Sequence, residues 1–223
     1  MNNAILIQHC LSTNAATGNW SGIFNDMLRL TQQRHLSYTR AHKFDYWAMF
    51  GDIHPEMFPG AWGKVWLTLS ALRYGYEYAV WFDTDAAVTD MSRDLRDALP
   101  AGKFIGAVKH DAEWLRKLDV KPHFNVGVLY VRNSPLSIEF FEDWLKAYPG
   151  PERWMDQGAF NVLIESEKYR DLFSQVDDTW NATINVNMVA KPAVSGWHGV
   201  MPPEARLEIM RQTFKDDFLK FRV

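Results

Sequence analysis

The sequence predicts an α/β fold, in which a sheet is flanked by helices and followed by an appended region. Apolar runs of strand length alternate with segments of helical spacing through the first part of the chain. The last third carries shorter and less regular strand patterns, which indicates the appended region. A chain of 223 residues can bury a full core, so we expect one domain over residues 1–223.

The predicted strands are apolar runs without polar alternation, which is the pattern of strands buried on both faces. Clear runs occupy residues 4–8, 79–82, 104–108 and 124–131. Weaker patterns predict strands at residues 36–44, 173–176 and 183–190. The run at residues 79–82 is central to the prediction, because it leads directly into two carboxylates.

Helices are predicted where apolar residues recur three and four positions apart. This spacing occurs in residues 23–35, 61–74, 135–147, 155–165 and 202–223, with a shorter helix at residues 92–99. Gly75 is a suitable C-cap for the second helix, since glycine adopts the left-handed conformation without steric cost. Glycines and prolines predict an irregular loop at residues 50–60.

Asp83 and Asp85 follow the apolar run at residues 79–82. Open α/β sheets bind ligands at the carboxyl ends of strands, and strand residues separated by one position point the same way. Two carboxylates held that close raise each other's pKa unless a cation lies between them. Mg²⁺ and Mn²⁺ prefer oxygen ligands, so we expect a divalent metal site. The alternative is an acidic pair in a solvated turn or at the start of a helix.

Composition and charge exclude several classes of function. The net charge of −3 gives no basis for binding nucleic acid. Cys10 is the single cysteine, which excludes an intramolecular disulfide and a cysteine metal site. The first residues lack the basic and long apolar segments of a signal peptide, and no stretch is long enough to span a bilayer. We therefore expect a cytoplasmic protein.

The segment at residues 202–223 has a strongly apolar helical face. This face carries Leu207, Met210, Phe214, Phe218 and Phe221. We expect it to pack on the core, and the alternative is a peripheral membrane contact.

Several segments together resemble nucleotide-sugar glycosyltransferases with the GT-A fold. They are a Trp-x-Lys helix start at residues 61–65, a Trp-Phe-Asp-Thr-Asp-Ala run at 81–86, an Asn-x-Gly strand at 124–128, an Asp-Gln helix start at 156–157 and Trp-His-Gly at 197–199. The named likeness is to the α-galactosyl/α-xylosyltransferase family of fungal mannan and plant xyloglucan synthesis. It implies a Rossmann-like mixed sheet flanked by helices. The nucleotide-sugar half would cover about residues 1–110, the acceptor half about 111–200, and a C-terminal helix about 203–221.

The resemblance implies transfer of a sugar from a nucleoside-diphosphate sugar, with UDP or GDP as the nucleotide, to a carbohydrate hydroxyl. A divalent metal would stabilise the departing diphosphate as a Lewis acid. Asp85 would be its principal ligand, Asp83 would bind the ion or the donor, and His198 would complete the site. A nitrogen among oxygen ligands favours Mn²⁺ over Mg²⁺. The alternative for His198 is a purely structural role.

The same resemblance implies further donor contacts. Lys64 would contact phosphate or hold Asp83, unless it is an exposed helix lysine. Thr84 would line the nucleotide, and Gly199 would lie against the donor. Asn125 and Gln157 would bond sugar hydroxyls, unless they satisfy buried backbone groups.

Asp156 is the first candidate for the catalytic carboxylate. It would be the general base of an inverting enzyme, or would stabilise the oxocarbenium-like centre of a retaining one. The likeness favours retention. The alternative for Asp156 is a carboxylate that interacts favourably with a helix N-terminus. Asp111 is the second candidate base, because it also ends a predicted strand.

Two other classes of function compete with the transferase. A haloacid-dehalogenase-like phosphatase also has an Asp-x-Asp motif after an apolar strand, and Asp83 would then be its nucleophile. That motif normally ends the first strand of the domain, whereas here a strand and two helices are predicted before it. A non-catalytic carbohydrate-binding protein could use the ten tryptophans but would not need paired carboxylates.

Overall fold

The computed structural model describes residues 2–10, 21–51, 60–117, 119–151 and 155–215. The strands in these ranges are β1 Ala4–Cys10, β2 Phe44–Phe50, β3 Tyr78–Phe82, β4 Ala86–Val88, β5 Ile105–His110, β6 His123–Arg132, β7 Phe173–Gln175, β8 Ala182–Thr183 and β9 Val194–Gly196. The helices are α1 Ser21–His42, α2 Gly63–Tyr74, α3 Glu113–Lys117, α4 Pro135–Lys146, α5 Met155–Ile164 and α6 Pro203–Thr213.

The main sheet is mixed and has the strand order β2-β1-β3-β6-β5-β7. Strand β1 runs parallel to β2 and β3, whereas β6 is antiparallel to both β3 and β5. A second, three-stranded sheet has the order β4-β9-β8. The predicted α/β class with a mixed sheet is therefore confirmed.

Side chains of β1 and β3 alternate between two buried clusters, because both faces of the sheet are covered. Ile5 and Trp81 pack with residues of α2, α4 and α5 on one face. Leu6 and Phe82 pack with Tyr38 of α1 on the other face. This double burial explains why both strands are continuous apolar runs in the sequence.

The prediction of a strand at residues 36–44 is wrong, because most of these residues belong to helix α1. Thr31, His35 and Tyr38 are fully buried and continue the helical spacing that begins at Met27. Helix α1 therefore extends to His42, and β2 begins only at Phe44.

The predicted strand at residues 183–190 is also wrong, because only Ala182–Thr183 pairs, and turns follow. Asn185 adopts a left-handed conformation with φ 63°, which breaks an extended strand. Strands β4 and β9 and helix α3 were not predicted. The Gly75 C-cap is confirmed, with φ 104° and its N–H donated to the Leu72 carbonyl at 3.1 Å.

Helix α6 packs against α1 through its apolar face. Leu207, Met210 and Phe214 form a buried cluster with Met27 and Trp197. This part of the apolar face is therefore unavailable to a membrane, while the predicted positions 218 and 221 lie outside the described residues. Among the helices that the structure describes, none is long and apolar enough to cross a bilayer.

Candidate functional site

The candidate site lies at the carboxyl end of β3, where the chain passes from the main sheet to the small one. The Asp83 N–H donates to the Gly127 carbonyl at 2.7 Å, and the Ala86 N–H donates to the Asp83 carbonyl at 3.0 Å. Thr84 and Asp85 form a turn, so strand alternation does not orient the two aspartates. The turn nevertheless brings both carboxylates to one site.

Pairing of β4 with β9 brings His198 to the same turn. Ala86 pairs with Gly196, and the Trp197 N–H donates to the Asp85 carbonyl at 2.8 Å. The His198 Nδ1 then lies 2.9 Å from Asp85 Oδ1. One ligand atom from each of Asp83, Asp85 and His198 lies within 4.8 Å of the others, so these residues could hold a metal ion.

Asp85 has two cationic neighbours in a buried environment. Besides His198, the Arg206 Nη1 of α6 contacts Asp85 Oδ2, and the side chains of Asp85 and Arg206 are only 6% and 11% exposed. Burial raises the pKa of Asp85, but His198 and Arg206 more than offset it and hold that pKa well below its ordinary value. Burial lowers the pKa of His198, and the Asp85 carboxylate reverses this shift, so the pKa is raised.

Two glycines make room for the His198 ring. A Cβ at Gly127 would lie 2.4 Å from the ring Cε1, and a Cβ at Gly196 would lie 2.6 Å from Nε2. The buried Nε2 has no hydrogen-bond partner within the described ranges. A ring held in a tight slot with an unpaired nitrogen suits a metal ligand, although its Nδ1 faces Asp85 in this arrangement.

Lys64 is 4% exposed and links two carboxylates, which excludes the alternative prediction that it is an exposed lysine on a helix. Its Nζ lies 3.2 Å from Asp83 Oδ1 and 3.2 Å from Asp156 Oδ2, and it donates to the Val126 carbonyl at 3.2 Å. Burial lowers the pKa of Lys64, but Asp156 and Asp83 more than offset that effect and raise it. Burial raises the pKa of Asp156, and Lys64 offsets only part of this.

Where β6 extends beyond the end of β3, side chains of helix α5 form hydrogen bonds with its backbone. The Asn161 side chain accepts from the Phe124 N–H at 2.7 Å and donates to the Phe124 carbonyl at 3.0 Å. Gln157 Oε1 accepts from the Val126 N–H at 3.1 Å. The Gln157 oxygen therefore satisfies buried backbone, which was the alternative to its predicted contact with a sugar.

A cavity of about 370 Å³ opens beside His198. Its lining includes Leu115, Val120, Ile184 and Val186 on apolar walls and His110, His123, Asn125 and Asn185 among its polar groups. Gly199, with φ 75°, and Val200 complete this lining. A pocket of this size, with apolar walls and a few polar groups, is suited to a small ligand.

The predicted sugar-binding Asn125 lines the cavity, but its side chain also bonds within the protein. Its Oδ1 accepts from the Gly127 N–H at 2.9 Å and from Asn181 Nδ2 at 3.0 Å.

Thr84 is buried in the turn between the two aspartates. The carboxylate of Asp111 accepts from Arg116 Nε at 2.7 Å, a bond that a general base would have to break or share.

Sequence reasoning did not identify Arg206, Asn181 or His110 as site residues. Arg206 had a detectable signal, because it shares the buried face of α6 with Leu207 and Met210, where a charged residue needs a partner. His110 ends β5, and its Nε2 lies 3.1 Å from Thr183 Oγ1.

Comparisons with known proteins agree with this architecture. The family described as nucleotide-diphospho-sugar transferase matches residues 63–195. Galactomannan galactosyltransferase 1 from Cyamopsis tetragonoloba is 30% identical over 125 residues, which cover 53% of this chain and 28% of that protein. The chain spans less than a third of the length of the curated relatives it matches.

Solved structures with the same fold are glycosyltransferases of the GT-A type. A glycosyltransferase involved in glycosylation of the major capsid of PBCV-1 has a TM-score of 0.66 at 14% identity, covering 94% of this chain and 99% of that one. Galactosyltransferase LgtC has a TM-score of 0.51 at 16% identity, covering 94% and 95%. The predicted GT-A fold is confirmed, and the comparisons favour the transferase over the phosphatase and the non-catalytic alternatives.

Proposed function

Since this chain belongs to the nucleotide-diphospho-sugar transferase family, we propose that it moves a sugar from a UDP or GDP sugar to a glycan hydroxyl. The proposed reaction uses a divalent metal and retains the configuration of the anomeric carbon. The observation that carries this proposal is the convergence of Asp83, Asp85 and His198 at the end of β3.

The residues fit Mn²⁺ or Mg²⁺ as the metal. Asp85 and Asp83 offer carboxylate oxygens, and the imidazole of His198 lies in a slot that the glycines keep open. Oxygen ligands suit both ions, while the nitrogen favours Mn²⁺. When bound, the ion would supply Lewis-acid stabilisation of the diphosphate leaving group.

Lys64 and Asp156 would connect the metal site with the reacting sugar. Lys64 lies 3.2 Å from both Asp83 and Asp156, so it holds the two carboxylates in a fixed relation. Asp156 is 5% exposed and pairs with the buried ammonium group of Lys64, which holds the carboxylate in a fixed position where it could face developing positive charge on the sugar. We therefore assign it to stabilising the oxocarbenium-like centre, and Asp111 remains the alternative base.

The cavity beside His198 is the proposed sugar-binding region. His110, Asn125 and Gly199 line it, and its apolar walls could cover the nonpolar face of a sugar ring. The galactosyltransferase name of one relative makes UDP-galactose the first donor to test. Thr84 is proposed to line the nucleotide.

The first experiment measures thermal stability with UDP, GDP and dTDP, each with and without Mn²⁺. Ligand binding to the folded state raises the melting temperature by mass action. We expect a rise that needs both one nucleotide and the metal, is lost in Asp85→Ala and persists in Asp97→Ala, a change at an exposed aspartate. A response to metal that no nucleotide changes would contradict the proposal.

The second experiment follows transfer itself with the stabilising nucleotide's sugars and a panel of glycan acceptors. Nuclear magnetic resonance of the product gives its anomeric configuration. Retention of the donor's configuration supports the role assigned to Asp156, and inversion would assign it or Asp111 as general base instead.

A further inference from the structure

An arginine of α6 occupies the same carboxylate that the proposed metal would need. The Arg206 Nη1 contacts Asp85 Oδ2, while its Nε and Nη2 donate to the Val200 carbonyl at 3.2 and 3.0 Å. The other Asp85 oxygen faces His198 Nδ1. Both oxygens of Asp85 are thus engaged by groups of this chain.

The charges around the site are almost balanced without an added ion. Asp83, Asp85 and Asp156 are faced by the buried cations Lys64 and Arg206, and the basic His198 also lies against Asp85. A divalent ion on Asp85 would therefore meet a full positive charge on the same carboxylate. In a poorly solvated site this repulsion is only weakly screened.

The helix that carries Arg206 is anchored independently of this contact. Leu207, Met210 and Phe214 are buried against α1, so α6 does not depend on the ion pair for its position. The Val200 carbonyl offers the guanidinium a hydrogen bond that does not involve Asp85. The arginine side chain can thus leave the carboxylate while the helix stays packed.

We propose that Arg206 is a resident counter-cation that divalent metal must displace from Asp85, and that it sets the metal affinity of the site. This inference rests on the metal site of the proposed function. The arginine neutralises Asp85 while the metal is absent, and it lowers affinity for the ion because its bond to Asp85 must be broken first. It is a positioning residue and need not contact substrate.

The test measures the dissociation constant of Mn²⁺ alone by calorimetry, with no nucleotide present. Arg206→Gln keeps a donor for the Val200 carbonyl and removes the positive charge that repels the ion, so we expect Mn²⁺ to bind about tenfold more tightly or better. Arg211→Gln is the matched control, since Arg211 lies on the same helix and is 53% exposed. Its dissociation constant should stay within about twofold of the wild type. An unchanged or weaker affinity in folded Arg206→Gln would overturn the proposal.

A second measurement needs no variant and covers the case in which Arg206→Gln does not fold. In the wild-type protein, the resonance of the Arg206 Nη1 protons, which face Asp85, is followed by NMR during a titration with diamagnetic Mg²⁺. We expect the signal to shift and to exchange faster with water as the guanidinium leaves Asp85. A signal unchanged at saturating Mg²⁺ would contradict displacement.

The outcomes separate this inference from the proposed function. If neither the wild type nor Arg206→Gln binds Mn²⁺ or Mg²⁺ while sugar transfer persists in EDTA, the displacement proposal is wrong and the transferase proposal stands without its metal. If Mn²⁺ binds more tightly to Arg206→Gln but no donor is used, displacement stands and the transferase fails.

Discussion

Lys64 shows how one buried cation organises several acidic groups. The main energetic effect of such a pair appears when one partner is removed, because the remaining charge then stays buried without a counter-ion. Asp156 is nearly fully buried, whereas Asp83 is 35% exposed and can be solvated in part. Removal of Lys64 should therefore destabilise the folded protein mainly through Asp156, whose carboxylate would stay buried without its partner.

We expect Lys64→Met to lower the free energy of unfolding by about 3 kcal/mol at pH 7. Without Lys64 the carboxyl of Asp156 loses the interaction that lowers its pKa, so it takes up a proton more readily. The loss of unfolding free energy relative to the wild type should therefore be smaller at pH 5 than at pH 7. Urea denaturation at the two pH values measures both effects. Arg73→Met on the same helix removes an exposed pair with Glu142 and should cost about 0.5 kcal/mol or less. Equal losses in the two variants would contradict this account.

Gly127 is required by the approach of the His198 ring. The Cβ of Gly127→Ala would lie 2.4 Å from His198 Cε1 and 3.0 Å from Asn125 Oδ1, so the ring must move. We expect a loss of about 1–3 kcal/mol in stability and about a tenfold or greater loss in Mn²⁺ affinity. Calorimetric titration checks the affinity.

Gly22→Ala is the matched control for that substitution. Gly22 lies in α1, and a Cβ there meets nothing within 4 Å. The substitution should leave Mn²⁺ affinity unchanged and stabilise the helix by up to about 1 kcal/mol. If Gly127→Ala kept full Mn²⁺ affinity, the slot would not position His198 for metal.

At the scale of elements, α5 substitutes for a missing strand. Beyond Phe82 the β3 ladder ends, and the Asn161 amide pairs with both backbone groups of Phe124 as a neighbouring strand would. This explains why an Asp-Gln-x-x-x-Asn segment begins a helix beside the site. The polar side chains hold β6 in place, and Asp156 is positioned as a result.

We expect Asn161→Ala to lower the free energy of unfolding by about 2–3 kcal/mol, because it leaves the N–H and carbonyl of Phe124 unpaired. Hydrogen exchange should locate the change at the Phe124 amide, and chemical denaturation gives its size. Val162→Ala, at a neighbouring position that is 68% exposed, should change stability by about 0.5 kcal/mol or less. Unaltered protection of the Phe124 amide would show that α5 does not serve as a strand substitute.

At the scale of the whole molecule, the buried sheet was the predictable part. The runs that became β1, β3, β5 and β6 were predicted to within two residues at either end, because strands covered on both faces have an unbroken apolar pattern. The closeness of Asp83 and Asp85 was also predictable, because only one residue separates them in the sequence. His198 and Arg206 reach Asp85 only through the pairing of β4 with β9 and the docking of α6. The apolar spacing of α6 predicts that this helix packs on the core, but it does not predict which carboxylate Arg206 meets.

The two sheets are joined through a buried histidine that makes folding stability depend on pH. His35 Nδ1 lies 2.7 Å from Gln8 Oε1 in β1, and its Nε2 accepts from the Val88 N–H of β4 at 3.3 Å. Burial, with a smaller contribution from Arg34, lowers the pKa of His35 to about 3, against 6.5 for the free side chain. Burial, with smaller contributions from His198 and His123, likewise lowers the pKa of His110 to about 3.

Since the unfolded chain binds these protons more readily than the folded protein, the free energy of unfolding should fall as pH drops below about 6.5. Each histidine contributes a slope of up to about 1.4 kcal/mol per pH unit. The raised pKa of His198 acts in the opposite direction, because the folded protein holds that proton more tightly than the unfolded chain does. Denaturation of the metal-free protein between pH 6.5 and 5 should give a shallower slope in His35→Gln and in His110→Gln than in the wild type. Parallel slopes in all three proteins would mean that neither buried imidazole resists protonation in the folded state.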